Sequence, residues 1–118
     1  MSVQIKRAYE PAAASDGERI LVDRLWPRGL SKRAAAIDHW LREVAPSTAL
    51  RRWFAHDPAK WSEFKRRYFA ELRTGGDAVQ DIAKRARQHR VTLVHGARDE
   101  QHNDAVALRE YLRRRYRV

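Results

Sequence analysis

The chain contains no cysteine, and this absence removes several classes of protein at once. Disulfide bonds, thiol nucleophiles and cysteine-ligated metal centres are all excluded. Because a chain without cysteine fits a reducing compartment, we expect a cytoplasmic protein. No segment approaches the roughly 20 consecutive apolar residues that span a bilayer, so we expect no membrane partner. Residues 1–7 lack the apolar centre of a signal peptide, and we expect none there.

Lysine is scarce, although the chain is strongly basic. Only five of the 25 basic residues are lysine, and the formal net charge is +10 at pH 7. An excess of this size attracts the phosphate groups of nucleic acids, nucleotides and acidic partners. The basic residues are spread along the whole chain and most of them are arginine. A genomic base composition that favours arginine codons therefore explains them equally well. The charge therefore keeps a nucleic acid only as an alternative partner.

Several familiar catalytic motifs are also missing. The chain has no Gly-x-x-x-x-Gly-Lys-Ser/Thr loop, no Gly-x-Gly-x-x-Gly turn and no nucleophile elbow. P-loop, dinucleotide-dependent and serine-hydrolase chemistries are therefore not expected. The side chains of His95, Asp99 and His102, with Asp104 nearby, are of the types that zinc favours, but their spacing matches no recognised ligand pattern. We predict neither a metal nor a cofactor.

The hydrophobic pattern that is present indicates an α/β protein. Residues 3–7 alternate apolar and polar, while residues 20–22 and 91–94 are short apolar runs typical of buried strands. Apolar residues spaced by three and four predict helices after residues 57, 76 and 103. Strands followed by helices predict a single domain over residues 1–118, with a mostly parallel sheet of about three to four strands flanked by helices.

Two points of this architecture stay open. Residues 37–44 have both helical spacing and the character of a short strand. The loop at residues 10–18 is short for a helical crossover, so the first two strands either run antiparallel or are not neighbours.

Polar residues mark the starts of three helices. Ser47 and Asp57 have the side chains that cap free backbone N–H groups, and Pro58 fits a first helical position. Asp77 with Gln80 resembles a capping box. We therefore predict helix starts at all three places.

Three segments carry a resemblance to a known family. They are Ile5-Lys6-Arg7, Leu21-Val22-Asp23-Arg24-Leu25-Trp26-Pro27-Arg28-Gly29 and Trp53-Phe54-Ala55-His56-Asp57-Pro58. With them the chain resembles the YeaO-like family, domain of unknown function 488, over nearly its whole length. The resemblance implies a small bacterial α/β protein and implies no activity. Two positions depart from the family pattern: Ala55 stands where glycine is usual, and His95 where an aromatic residue is common.

The candidate site lies where two strands end. In open α/β sheets, ligands bind beyond the carboxyl ends of the strands. One strand end provides Asp23, Arg24, Trp26 and Arg28, and the other provides His95, Arg98, Asp99, His102 and Asn103. If the two strands are parallel neighbours, these groups converge on one crevice.

Each group has a functional and a structural interpretation. Arg24 and Arg28 suit a phosphate or carboxylate, or else they pair with Asp23. Trp26 stacks on a ligand ring or belongs to the core. Arg98, His102 and Asn103 are further ligand-binding candidates, and Asn103 equally suits the start of the last helix.

The leading hypothesis is a protein that binds an anionic or phosphorylated small molecule in this crevice. A nucleic-acid-binding module is the first alternative. A hydrolase or lyase that uses Asp23 or Asp99 with His56 as acid and base is the second. A homodimer with tryptophans at the contact is the third.

Overall fold

Residues 2–118, which the computed structural model describes, are built around a parallel sheet of four strands. The strands are β1 (Val3–Arg7), β2 (Glu18–Leu21), β3 (His39–Trp40) and β4 (Val91–His95). Their order across the sheet is β1-β4-β2-β3, and every neighbouring pair is parallel. The predicted small α/β domain with a parallel sheet is confirmed.

Five α-helices accompany the sheet within this part of the chain. They are α1 (Lys32–Ala35), α2 (Thr48–Phe54), α3 (Trp61–Arg73), α4 (Asp77–Gln88) and α5 (Asp104–Tyr116). Short 3-10 turns occupy Ala14–Asp16, Arg42–Val44 and Pro58–Lys60. None of the helices over residues 2–118 has the length and apolar character needed to cross a membrane.

The last strand lies between the first two. Leu93 of β4 is in register with Ile5 of β1 on one side and with Ile20 of β2 on the other. The first two strands are therefore not neighbours, which resolves the ambiguity over their loop. Residues 8–17 return the chain to the opposite end of the sheet without a crossover helix.

Alternating side chains of the central strands enter two apolar clusters. Ile20 and Leu93 belong to a large cluster that contains the buried residues of α2, α3, α4 and α5. Leu21 and Val94 belong to a smaller one, covered by Trp26 and Trp40. Since strand side chains alternate between faces, the four longer helices pack on one face of the sheet and the loop after β2 covers the other.

The ambiguous segment at residues 37–44 is neither a full helix nor a full strand. His39 and Trp40 pair with β2, and a 3-10 turn follows directly. Two of the three predicted helix starts are confirmed: Ser47 accepts the N–H of Leu50 at 3.1 Å, and Asp57 accepts that of Ala59 at 3.0 Å. The third prediction, a capping box that begins with Asp77, is wrong. Asp77 is already the first residue of α4, and Gly76, which precedes it, has no side chain to cap the helix.

A buried ionic network lies near the N-terminal ends of the strands. The Asp16 carboxylate accepts Arg19 Nη1 at 2.7 Å, Lys6 Nζ at 3.1 Å and the N–H of Ala13 at 3.0 Å. Arg19 Nη2 also donates to the carbonyl of Ala35 at 2.9 Å. Burial raises the pKa of Asp16, but these bonds outweigh it and hold the pKa below its ordinary value. Both Asp16 and Arg19 are almost fully buried and fully paired.

Gly17 fills a position beside this network that no other residue fits. Its φ is +65°, in the left-handed region. A Cβ atom built there would lie 2.2 Å from the carbonyl oxygen of Arg90. Only glycine allows the turn that leads into β2.

Candidate functional site

The chain segments after β2 and β4 lie side by side because these two strands are parallel neighbours. Leu21 pairs with Val94 in register, so Asp23 and Gly96 follow the two strands at the same edge of the sheet. The Asp23 carboxylate accepts the N–H of Gly96, with 2.8 Å between Oδ2 and N. The two strand ends therefore converge, as the sequence predicted for parallel neighbours.

A cleft of about 870 Å³ opens at this edge, and we call it the strand-end cleft. Its volume lies within the range of small-molecule sites. Four arginines, two carboxyl groups and several aromatic rings line it. The arginines are Arg24, Arg28, Arg51 and Arg52, the carboxyl groups belong to Asp23 and Asp104, and the rings belong to Tyr9, Trp26, Phe54 and Phe64.

Two tryptophans hold the loop that forms one wall. Trp26 Nε1 donates to the carbonyl of Leu30 at 2.6 Å, and Trp40 Nε1 donates to that of Asp23 at 2.8 Å. The two indole rings meet edge to face at 5.4 Å between centroids. Gly29, with φ at +76°, allows the loop to turn back. Trp26 thus packs against the smaller core and lines the cleft as well.

Helix α2 forms the opposite wall. Its start is fixed on α3, because Ser47 Oγ donates to Glu71 Oε2 at 2.6 Å and the N–H of Ser47 donates to Oε1 at 2.8 Å. Leu50 and Phe54, four residues apart, face the core. Arg51 and Arg52 therefore lie on the exposed side of the helix, at the border of the cleft.

Three of the four cleft arginines have no hydrogen-bond or ion-pair partner among the residues that the structure describes. Arg24 is half-buried and donates to the carbonyl of Pro46 through two long bonds, at 3.4 Å from Nε and 3.3 Å from Nη2. The exposed guanidinium groups of Arg28, Arg51 and Arg52 form no hydrogen bond or ion pair with any residue from 2 to 118. Neither Arg24 nor Arg28 pairs with Asp23, so the structural ion pair considered from the sequence is wrong. The cleft border carries positive charge that the protein itself does not neutralise.

The carboxyl groups of Asp23 and Asp104 lie in hydrogen-bond contact. Burial, and then the charge of Asp23, raise the pKa of Asp104 well above its ordinary value. A hydrogen bond between two carboxyl groups requires a proton on one of them, and the raised pKa of Asp104 favours its holding that proton. Its Oδ1 also accepts the N–H of Ala105 at 3.0 Å. With the proton in place, the pair carries one negative charge rather than two.

The start of α5 is organised by the residues that precede it. Asn103 Oδ1 accepts the N–H of Val106 at 3.0 Å, and Nδ2 donates to the carbonyl of Asp99 at 2.9 Å. Asp99 Oδ2 lies 2.9 Å from His102 Nδ1, and Oδ1 accepts the N–H of Gln101 at 2.9 Å. These bonds lower the pKa of Asp99 below its ordinary value. Both polar groups of Asn103 and both carboxylate oxygens of Asp99 thus serve the loop.

His56 reaches the cleft from a strained turn. It is exposed, and both His56 (φ 57°) and Ala55 (φ 48°) are in the left-handed region that favours glycine. Glycine, which the family resemblance leads us to expect at position 55, adopts such a φ value without strain. Here the turn is held by its surroundings, including the Asp57 cap that follows it.

The structure gathers most, though not all, of the sequence-predicted residues in one place. Asp23, Arg24, Trp26, Arg28, His56, His102 and Asn103 line the strand-end cleft. Arg98 is exposed and Asp99 half-buried, and neither is part of the lining. Of the two acid–base pairs considered from the sequence, Asp99 with His56 thus has only one member in the cleft, whereas Asp23 and His56 both line it.

Sequence reasoning missed Arg51 and Arg52 as site residues and found no role for Asp104 outside a metal set. The two arginines follow a capped helix start, where charged residues usually indicate a solvated face. Only the position of α2 beside the strand ends gives them a place in the site. For Asp104 the missing information is its contact with Asp23, which lies far away in the chain.

No metal centre is apparent in the described part of the chain. Over residues 2–118, no group of three or more histidine, aspartate or glutamate side chains is arranged to hold a metal ion. His95 is buried, and its Nδ1 accepts the N–H of Ala97 at 3.1 Å. Burial lowers the pKa of His95, so its ring is neutral.

Comparison with known proteins places the whole chain. Residues 2–118 match the family DUF488-N3i, described as the inactive DUF488-N3 subclade. The uncharacterized protein YeaO of Escherichia coli (strain K12) is 42% identical over 113 residues, 96% of this chain and 98% of that protein. The uncharacterized proteins Mb3100c of Mycobacterium bovis and Rv3073c of Mycobacterium tuberculosis are each 36% identical over 110 residues, 93% of this chain and 92% of those proteins. No solved structure matches. Because the family model and the relative from Escherichia coli both match nearly its full length, the chain belongs to the YeaO-like DUF488 family, within its inactive N3 subclade.

Proposed function

We propose that the protein binds an anionic or phosphorylated small molecule in the strand-end cleft. The observation that carries this proposal is the set of three exposed, unpartnered guanidinium groups on two walls of one cleft, those of Arg28, Arg51 and Arg52. Guanidinium groups bind phosphate and carboxylate through paired, charge-assisted hydrogen bonds. A bound anion supplies the partner that the protein does not.

Binding is favoured over catalysis for two reasons. The subclade to which the chain belongs is described as inactive, which favours binding without catalysis. In addition, of the two acid–base pairs considered from the sequence, Asp99 with His56 is separated, because Asp99 holds the loop before α5 and is not part of the cleft lining. The other pair, Asp23 with His56, lines the cleft, but the two side chains form no hydrogen bond with each other. Asp23 is bonded instead to the N–H of Gly96 and to Asp104.

A small molecule is favoured over a nucleic acid by the shape of the site. The cleft has the volume of a small-ligand pocket. A nucleic acid is the second candidate, and the net charge of +10 together with the exposed Tyr9 ring at the cleft border favours it. Binding of a single-stranded oligonucleotide that weakens steeply with salt, and is tighter than that of any small anion, identifies this second candidate.

Calorimetric titration with inorganic phosphate tests the proposal directly. We expect the wild-type protein to bind phosphate, and the Arg28→Gln and Arg51→Gln variants to bind it at least about tenfold more weakly, because each charge-assisted bond contributes about 1.5–3 kcal/mol. Arg73→Gln is the matched control. Arg73 is exposed at the far end of α3 and outside the cleft, so the same loss of charge there leaves binding nearly unchanged.

Two results contradict the proposal. One is the absence of phosphate binding by the wild-type protein at low salt. The other is an equal loss of binding in Arg28→Gln and Arg73→Gln, since that result reports net charge and not a site.

A further inference from the structure

The strand-end cleft has two chemically different parts. Its unpartnered arginines are exposed and lie at the border, while the carboxyl groups of Asp23 and Asp104 are half-buried and lie deeper. Two aromatic side chains that are almost fully buried, Phe54 and Phe64, also line the cleft. A site for a bare anion has no use for a carboxylate, because the negative charge of Asp23 repels the ligand.

The hydrogen bonds of Asp23 leave it able to accept more. An ionised carboxylate has about four lone-pair positions. The N–H of Gly96 occupies one, and the proton of Asp104 occupies another. No further donor from residues 2–118 bonds to this carboxylate, and it lines the cleft, so its remaining lone pairs are open to donors on a ligand.

The surrounding charges restrict which donor fits. An ammonium group on the ligand is disfavoured by the four arginines that line the same cleft. An anionic group is disfavoured by Asp23 itself. A neutral donor remains, and the hydroxyl group is the neutral donor that small phosphorylated molecules most commonly carry. Dinucleotide-binding folds use an acidic residue in this way, to accept a hydrogen bond from a ribose hydroxyl.

Trp26 adds apolar surface to the wall formed by the loop after β2. Its ring is half-buried, meets that of Trp40 edge to face at 5.4 Å between centroids, and lines the cleft. A carbon skeleton with hydroxyl groups offers C–H surface to such a ring. Phe54 and Phe64 line the cleft too, but they are almost fully buried and contribute little surface to a ligand.

Resting on the proposed function, we propose that the ligand is a phosphomonoester of a polyhydroxylated carbon skeleton, a sugar phosphate or a nucleotide. Arg28, Arg51 and Arg52 hold the phosphate, and the Asp23 carboxylate accepts hydrogen bonds from ligand hydroxyl groups. Asp104, which is in hydrogen-bond contact with Asp23, helps to fix the orientation of that carboxyl group.

The test is a calorimetric titration of the full chain with four compounds: inorganic phosphate, propyl phosphate, ribose 5-phosphate and adenosine 5′-monophosphate. We expect ribose 5-phosphate to bind the wild-type protein at least about tenfold more tightly than propyl phosphate, which lacks hydroxyl groups. A hydrogen bond to a charged acceptor has this magnitude. A further gain for adenosine 5′-monophosphate identifies a nucleotide as the ligand class, while equal or weaker binding identifies a sugar phosphate.

The variant Asp23→Asn locates the hydroxyl recognition. We expect it to lower the affinity for ribose 5-phosphate about tenfold and to leave inorganic phosphate bound equally well or more tightly, since a negative charge is removed. Asp77→Asn, at an exposed position in the first turn of α4, is the matched control and changes neither affinity. Should Asp23→Asn fail to fold, the comparison of ribose 5-phosphate with propyl phosphate on the wild-type protein decides the question alone.

The failures of the two proposals are distinguishable. Equal affinities for propyl phosphate and ribose 5-phosphate overturn the hydroxyl recognition and leave anion binding intact. An equal loss of ribose 5-phosphate and inorganic phosphate in Asp23→Asn overturns the role of Asp23. If none of the four compounds binds, both the proposed function and this extension of it are wrong.

Discussion

The two ends of the sheet carry the same kinds of charged side chain in opposite arrangements. Near the N-terminal ends of the strands, Asp16 and Arg19 are buried and bonded to each other. At the carboxyl ends, Arg28 and Arg51 are exposed without partners, while Asp23 lies against a second carboxyl group. One end is electrostatically complete and the other is not. Residue types alone do not separate a structural from a functional end; the partners of each charge do.

The largest expected effect is at the complete end. Asp16→Ala leaves the buried Arg19 guanidinium without its counter-charge, and removal of one partner from a buried pair costs about 3–5 kcal/mol. We expect urea denaturation to show a loss of unfolding free energy in that range. Asp81→Ala is the matched control, because its pair with Arg85 is partly exposed and contributes about 0–1 kcal/mol. A loss below about 1 kcal/mol for Asp16→Ala removes the contrast between the two ends.

The next effect concerns the pH dependence that the carboxyl pair creates at the cleft. Since the pKa of Asp104 is raised in the folded protein, its contribution to stability is complete below 3.8 and is lost as the pH rises towards the folded value. Asp104→Asn keeps the donor and removes this titration. We expect the variant to be more stable than wild type at pH 7, with a difference that grows as the pH rises from 4, in urea unfolding at several pH values. A constant difference, or a less stable variant at pH 7, contradicts the assignment of the proton.

A smaller effect on stability is expected from the backbone conformation of one turn at each end of the sheet. The turn before β2 has glycine at its left-handed position, whereas the cleft turn has Ala55 at φ 48°. Ala55→Gly should stabilise the protein by about 0.5–1 kcal/mol, because relief of the left-handed strain exceeds the entropy cost of glycine. Ala59→Gly, in the adjoining 3-10 turn, should lower stability by a similar amount. Thermal denaturation that ranks Ala55→Gly below wild type refutes the idea of a strained turn.

The smallest expected effect on stability belongs to the arginines proposed to bind the ligand. Because Arg28 and Arg51 have no partner, the double variant Arg28→Gln/Arg51→Gln should unfold within about 0.5 kcal/mol of wild type in the absence of ligand. The same variant should lose the stabilisation that phosphate confers on the wild-type protein. A strongly destabilised double variant shows that these side chains support the fold, and the comparison between the ends then fails.

The sequence predicted much of the scaffold because local rules determine it. Apolar runs located β2 and β4, and the caps at Ser47 and Asp57 located two helix starts. The capping box at Asp77 failed because the Gly76 turn moves the helix start by one residue, and α4 needs no side-chain cap there. Short-range chemistry identifies an element better than it identifies its first residue.

Part of the candidate site could also be predicted from the sequence. Asp23, Arg24 and Arg28 follow a buried strand directly, and the rule for strand ends selects them. Arg51 and Asp104 belong to the site only through tertiary contacts: one lies on a helix that docks beside the strand ends, and the other meets a carboxylate some 80 residues earlier in the chain. Such convergence depends on the strand order, which the local pattern left open.

The strand order has a consequence for how the chain reaches its native state. β4 is made after β1, β2 and β3, yet among residues 2–118 it is the only hydrogen-bonded neighbour of β1 and pairs with more of β2 than β3 does. While the first 90 residues leave the ribosome, β1 has no partner strand and β2 has only the two-residue β3. The sheet closes only when β4 inserts between β1 and β2. Sheets that wait for such distant pairings fold slowly. The nascent chain therefore exposes the edges of β1 and β2 that β4 later joins until synthesis is nearly complete. Exposed strand edges promote aggregation, so we expect chaperone binding to matter most during this interval.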